Sequence, residues 1–142
     1  MRGTTKATVI LADDHAGMID KVAEIIGQEC TIIAKVCDGV ASIEAAIRLE
    51  PDIIVLDIAM PKLSGIQAAR ELKKLGLRTK VIFLTVQEDA DCIEAASELG
   101  ASFVLKPKMY PDLIRAIRET LLGNRFVSLL STQVSSSQIE RL

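Results

Sequence analysis

The chain has 142 residues, 49% of them hydrophobic, and a net charge of −2. That length suits one domain with one well-buried core, and the near-neutral balance without a basic stripe argues against direct binding of nucleic acid. No apolar run approaches the roughly 20 residues that cross a bilayer, and the first run ends in acid, unlike a signal peptide, so a cytoplasmic protein with no membrane partner is expected.

Short, β-branched strands are predicted at ATVILA (7–12), TIIAKVC (31–37), DIIVLD (52–57), KVIFLT (80–85) and SFVLK (102–106). Between them apolar residues fall at helical spacing. Met18, Val22 and Ile26 form the first stripe, Val40, Ile43 and Ile47 the second, and Ile66, Ala69 and Leu72 the third. ADCIEAASE (90–98) is only faintly amphipathic, whereas Leu113 or Ile114 with Ile117 and Leu121 make the cleanest stripe. Pro51 precedes the third strand, MPKLSG (60–65) reads as a loop, and Gly76 and Gly123 sit where helices should stop. Lys35, a charge inside an apolar run, suits an edge strand. This alternation implies an α/β fold, (βα)5 over residues 7–122, with a parallel sheet, right-handed crossovers and helices on both faces. Residues 123–142 hold no sixth unit. They read as a tail or the start of a linker, with Ser135 and Gln138 in capping-box spacing.

Ligands of open α/β sheets bind beyond the carboxyl ends of the strands. The sequence sets Asp13 and Asp14 there on strand one, Asp57 on strand three, Thr85 on strand four and Lys106 on strand five. Adjacent carboxylates disfavour each other's ionisation. If strands one and three are neighbours, all the carboxylates face one pocket, and a hard cation such as Mg²⁺ offsets their charge. Lys106 adds a point charge suited to a phosphoryl oxygen. Asp57, alone on its strand, is the natural nucleophile for a phosphoryl group, with Thr85 donating to one of its oxygens. Each residue also has a plain reading. Asp13 and Asp14 would serve as helix N-cap and first-turn acid, Asp57 as a solvated carboxylate, Thr85 as a strand residue and Lys106 as an edge charge. His15, the only histidine, reads as a rim residue rather than a general base. Cys30, Cys37 and Cys92 lack zinc-ligand spacing and read as reduced thiols.

The acidic pair, LDIAMPKLSG (56–65) around Asp57, Thr85 closing VIFLT, and Lys106–Pro107 resemble, in order and spacing, the response-regulator receiver domains of the CheY-like kind. LADDH and the stretch following IRETLLGNRFVS are most similar to the NarL/FixJ-type subfamily. The resemblance implies a flavodoxin-like strand order 2-1-3-4-5, a receiver domain over residues 1–122, and a two-component phosphoacceptor rather than an enzyme that turns over a substrate. It implies Asp57 as phosphoacceptor, with Mg²⁺ held by Asp14, Asp57 and the Ala59 backbone carbonyl, and by Asp13 mainly through water. Lys106 and Thr85 would then meet the phosphoryl group, Phe103 would be an aromatic switch, and the bond before Pro107 would be cis. It further implies a histidine kinase as partner and a homodimer or effector contact through residues 88–122. DNA would be met, and transcription controlled, only through a helix-turn-helix domain outside this chain. Val86 departs from the family in being larger than usual, and Ala59 and Gln87 occupy positions that tune phosphoryl lifetime. The rival reading is a degenerate receiver acting as a phosphorylation-independent interaction module. A phosphohydrolase would need a second carboxylate where Ile58 and Ala59 stand, and ADDHAG lacks a phosphate-cradling glycine turn.

Overall fold

Strands rich in apolar residues run through the middle of the molecule, and the central ones are covered on both faces. In the computed structural model, which describes residues 6–128, these strands are β1 (Ala7–Ala12), β2 (Cys30–Val36), β3 (Ile53–Leu56), β4 (Lys80–Thr85) and β5 (Ser102–Leu105). They form one parallel sheet in the order β2-β1-β3-β4-β5. The helices are α1 (Ala16–Ile26), α2 (Gly39–Leu49), α3 (Gly65–Lys74), α4 (Ala90–Glu98) and α5 (Met109–Leu121). Alternate strand residues feed two cores. Ile10, Leu56, Phe83 and Phe103 pack with α2, α3 and α4, while Val9, Val55, Ile82 and Val104 pack with α1 and α5. The doubly wound order follows from short crossovers that cover both faces. Lys35 lies on β2, at the sheet margin, as its charge suggested.

Two helices bury faces other than the expected ones. On α2 the inward residues are Gly39, Ser42, Ala45 and Ala46, whereas Val40 and Ile47 are 43% and 50% exposed. Small residues let this helix sit close, and a Cβ added at Gly39 would lie 2.1 Å from the Leu63 carbonyl oxygen. On α5, Leu113 and Ile117 are buried as expected, but Leu121 points outward and Thr120 turns in to bond the Ser102 hydroxyl at 2.8 Å.

Helix starts are chosen locally. Asp38 caps α2 by accepting from Ala41 N, and Asp89 caps α4 by accepting from Cys92 N. Ser64 and Gln67 form a reciprocal capping box on α3, the Ser64 hydroxyl accepting from Gln67 N at 3.1 Å and the Gln67 side chain accepting from Ser64 N at 3.0 Å. Ser64→Ala is expected to cost about 1 kcal/mol in a urea unfolding titration. The Ser135–Gln138 box lies outside the described residues.

The expected cis bond before Pro107 is corrected, for every peptide bond among the described residues is trans. Pro107 sits in a single 3₁₀ turn, Lys106–Lys108, where the Lys106 carbonyl accepts from Met109 N. A trans proline has the right φ for that turn, and its missing N–H leaves nothing unsatisfied there.

After Gly123 the chain doubles back along β5. Phe103 N donates to the Phe126 carbonyl and Ser128 N to the Phe103 carbonyl, both at 2.8 Å. The buried Ser128 hydroxyl accepts from Leu105 N at 3.1 Å and donates to Asp112 Oδ2 at 2.7 Å. Arg115 stacks over the Phe126 ring, 5.5 Å from its centroid.

Candidate functional site

Because β1 and β3 are neighbours in register, with Ala12 opposite Leu56, the residues that follow them leave the sheet side by side. Asp57 N still donates to the Ala12 carbonyl (2.9 Å) and Asp13 N to the Val36 carbonyl (3.1 Å), so backbone bonds continuing past the strand ends hold both acids. Each residue is only 5% exposed. Lys106, leaving the end of β5, reaches across so that Nζ lies 2.9 Å from Asp13 Oδ2 and 3.1 Å from Asp57 Oδ2. The remaining Asp57 oxygen, Oδ1, accepts from Ala59 N at 3.3 Å.

Burial raises the Asp57 carboxyl above the ordinary aspartate value, the charge of Asp13 adds to this, and Lys106 opposes it without winning. For Lys106, burial alone would lower the ammonium, but its bonds and charge contacts with Asp13 and Asp57 outweigh that and hold it raised. A single ammonium thus faces two buried carboxylates, with Asp14 close by, and the pocket keeps an excess of negative charge.

The backbone explains what surrounds Asp57. Gly65, the first residue of α3, presses on the strand end, where an added Cβ would stand 2.1 Å from the Asp57 carbonyl oxygen. Its N–H donates to the Ile58 carbonyl at 2.8 Å. The glycine of LSG is therefore a close-approach residue.

Asp13 and Asp14 do not cap α1. His15 occupies the N-cap position, and the first turn contains no acid. The His15 ring makes no capping bond and instead turns back, placing Nδ1 3.0 Å from Asp14 Oδ1 and 3.3 Å from Asp13 Oδ1. Its backbone N–H also donates to Asp13 Oδ1 at 2.9 Å. Sequence reasoning set His15 aside for want of an orienting partner. The partners are the two residues before it, and their adjacency was the available signal.

Thr85 is fully buried, and its hydroxyl oxygen accepts from Gln87 N at 3.2 Å, so it is turned to the β4–α4 loop rather than joined to the acids. The Gln87 side chain in turn accepts from Cys92 Sγ at 3.3 Å. Burial first, and then the hydrogen bond to Asp89, push the Cys92 thiol up to about 11. Phe103 is wholly buried in the core. Val86 is 67% exposed, at the rim. Two grooves of about 470 and 580 Å³ lie at the other end of the sheet around Leu77–Lys80, away from this chemistry.

The family model described as the response regulator receiver domain matches residues 9–118. The uncharacterised transcriptional regulatory protein YvfU of Bacillus subtilis is 32% identical over 123 residues, covering 84% of this chain and 62% of that protein. The nitrate/nitrite response regulator NarL of Escherichia coli is 28% identical over 142 residues, covering 98% of this chain and 66% of that protein. The chain therefore spans less than two thirds of the length of these relatives. Among solved structures, the response regulator domain of Thermotoga maritima CheB is 30% identical with a TM-score of 0.76, over 82% of this chain and 97% of that one. The receiver domain of the response regulator NarL from Mycobacterium tuberculosis shares the fold, with a TM-score of 0.80 at 24% identity over 84% of this chain and 99% of that one. Among the described residues, no helix is long and apolar enough to cross a membrane.

Proposed function

The chain belongs to the response-regulator receiver domain family of two-component systems, and from that premise we propose that Asp57 takes a phosphoryl group from the phosphohistidine of a partner kinase. The observation that carries this is the Lys106 ammonium held between Asp13 and Asp57, at 2.9 and 3.1 Å. An Asp57 oxygen attacks phosphorus, the new O–P bond forms as the P–N bond breaks, and the electron pair leaves with the imidazole. Lys106, already in contact with the attacking carboxylate, follows the transferring oxygens and offsets their charge. The donor set suits Mg²⁺: ligand atoms of Asp13, Asp14 and Asp57 gather in one acidic cluster, and the Ala59 carbonyl would complete the protein's share. Bound there, Mg²⁺ would screen the charge that builds up on the phosphoryl oxygens.

Thr85 then has a choice of partner. Its hydroxyl now caps Gln87 N, and turning to donate to the phosphoryl group would loosen the β4–α4 loop. Helix α4 buries only Cys92, Ala95 and Ala96, a thin contact that suits an element able to shift. Such a shift would remodel the 88–122 surface for a second copy or an effector in the cytoplasm. Phe103, locked in the core, would act there only through repacking. Control of transcription would need a DNA-binding segment beyond this chain, as the naming of YvfU as a transcriptional regulatory protein suggests.

The test is exposure to acetyl phosphate with Mg²⁺, followed by intact mass. One added phosphoryl group is expected, absent in Asp57→Asn and absent with EDTA. Labelling that survives either change overturns the assignment, and an unlabelled wild type would favour the phosphorylation-independent module.

A further inference from the structure

We propose that Ser128 is a positioning residue for Lys106, its buried hydroxyl clamping both ends of the turn from which the ammonium reaches Asp57. The inference rests on the phosphoryl-transfer reading given above. It adds a residue that lies beyond the matched family span, which ends at residue 118.

Lys106 opens the 3₁₀ turn Lys106–Lys108, between Leu105 at the end of β5 and Met109 at the start of α5. One hydroxyl spans that connection. Ser128 Oγ accepts from Leu105 N at 3.1 Å and donates to Asp112 Oδ2, in the first turn of α5, at 2.7 Å. Ser128 is wholly buried, so removing its hydroxyl would leave both partners short of a bond that water cannot readily replace.

The place of the clamp is what gives it a role in the chemistry. Lysine carries its charge on a long flexible stem, so the contacts at 2.9 Å to Asp13 and 3.1 Å to Asp57 depend on where that stem is rooted. A misplacement of about 1 Å in a reacting site can cost about a hundredfold in rate. The other bonds of the returning segment act further back along β5. Arg125 Nε donates to the Ala101 carbonyl at 2.6 Å, Phe126 N to Ser102 Oγ at 3.1 Å, and Phe103 pairs with Phe126 and Ser128 through the backbone. Those bonds hold the segment in place without the Ser128 hydroxyl, whereas the hydroxyl acts at Leu105, next to Lys106.

The experiment follows the rate at which acetyl phosphate with Mg²⁺ labels the full chain, read by intact mass, with a urea titration on every variant. Ser128→Ala and Asp112→Ala are each expected to slow labelling about tenfold. Asp112→Asn, whose amide oxygen still accepts from the hydroxyl, should stay within about twofold of wild type. In a Lys106→Met background, Ser128→Ala should change the rate by less than about twofold, because no ammonium is left to misplace. Thr120→Ala removes a buried hydroxyl bond to Ser102, at the far end of β5, and controls for general loosening. It should leave the rate within about twofold. The proposal fails if folded Ser128→Ala labels at the wild-type rate, if Thr120→Ala slows labelling as much, or if Ser128→Ala slows Lys106→Met by the same factor. Should Ser128→Ala not fold, Asp112→Ala decides on the same criteria. A wild type that takes up no phosphoryl group would instead overturn the assignment of Asp57.

Discussion

Lys106→Met is expected to lower the unfolding free energy of the metal-free protein by about 3 kcal/mol and to slow phosphoryl uptake from acetyl phosphate about a hundredfold. The side chains concerned are nearly dry: that of Lys106 is 12% exposed, and those of Asp13 and Asp57 are 7% and 6% exposed. Removing the ammonium leaves two buried carboxylates facing each other, which is far costlier than losing a surface pair. The sign of the pH dependence follows. Asp57 is raised in the folded state, so its ionisation opposes folding above its folded value, and that cost fades as pH falls through it. Losing Lys106 raises the folded value further. That enlarges the cost and carries its completion to higher pH, while its onset stays at the ordinary aspartate value. Lys106 is itself raised, so its contribution is complete below the ordinary lysine value and is lost as pH climbs through the folded one. The gap between variant and wild type should therefore be widest near neutrality and close at both ends, as read from urea titrations across pH. Adding Asp57→Asn to Lys106→Met should restore much of the loss. A double variant no more stable than Lys106→Met would show that the ion cluster is not the cause.

Gly65→Ala should destabilise the chain by about 3 kcal/mol, lowering its thermal midpoint by about 10 °C. The new methyl would stand 2.1 Å from the Asp57 carbonyl oxygen, 2.9 Å from its carbon and 3.0 Å from Ile58 Cα, all of them backbone atoms that cannot swing aside. The segment carrying Asp57, the proposed phosphoacceptor, must move, so phosphoryl uptake should fall as well. Gly17→Ala makes a clean contrast, because nothing lies within 4 Å of that position and it sits inside α1. It should stabilise by about 0.5 kcal/mol, since alanine is the better helix former. Equal effects at the two glycines would rule out the close approach as the reason for Gly65.

The strands and the acids at their ends were legible because each depends on local residue type. Ile53–Leu56 is apolar throughout because it is covered on both sides, and the charged residues after such runs emerge at one rim of a parallel sheet. The inward face of α2 was not legible, since Gly39, Ser42, Ala45 and Ala46 carry little hydrophobic signal and are chosen for how near a neighbour may come. The direction of the His15 ring, turned back onto Asp13 and Asp14 at the pocket rim, was not read from the sequence, because it follows from the backbone at a helix start. The capping box at Ser64 and Gln67 has the same spacing as the one expected at Ser135 and Gln138, but its Ser64 lay in a stretch read only as a loop. Residues 124–128 have no period to detect, because their bonds are made by the backbone and by Ser128.

That returning segment has a consequence for how copies of the chain behave towards one another. A parallel sheet has two margins, and a bare margin is a template for any passing strand. β2 guards its own with Lys35, partly exposed and 3.8 Å from Asp20. β5 has no such charge, for Ser102, Phe103, Val104 and Leu105 are all buried. Its protection is intramolecular: the protein supplies its own neighbouring segment, and the hydrogen bonds from Phe103 and Leu105 to Phe126 and Ser128 are sites that another copy can no longer use. Resistance to aggregation at that margin is thus a property of the chain after α5.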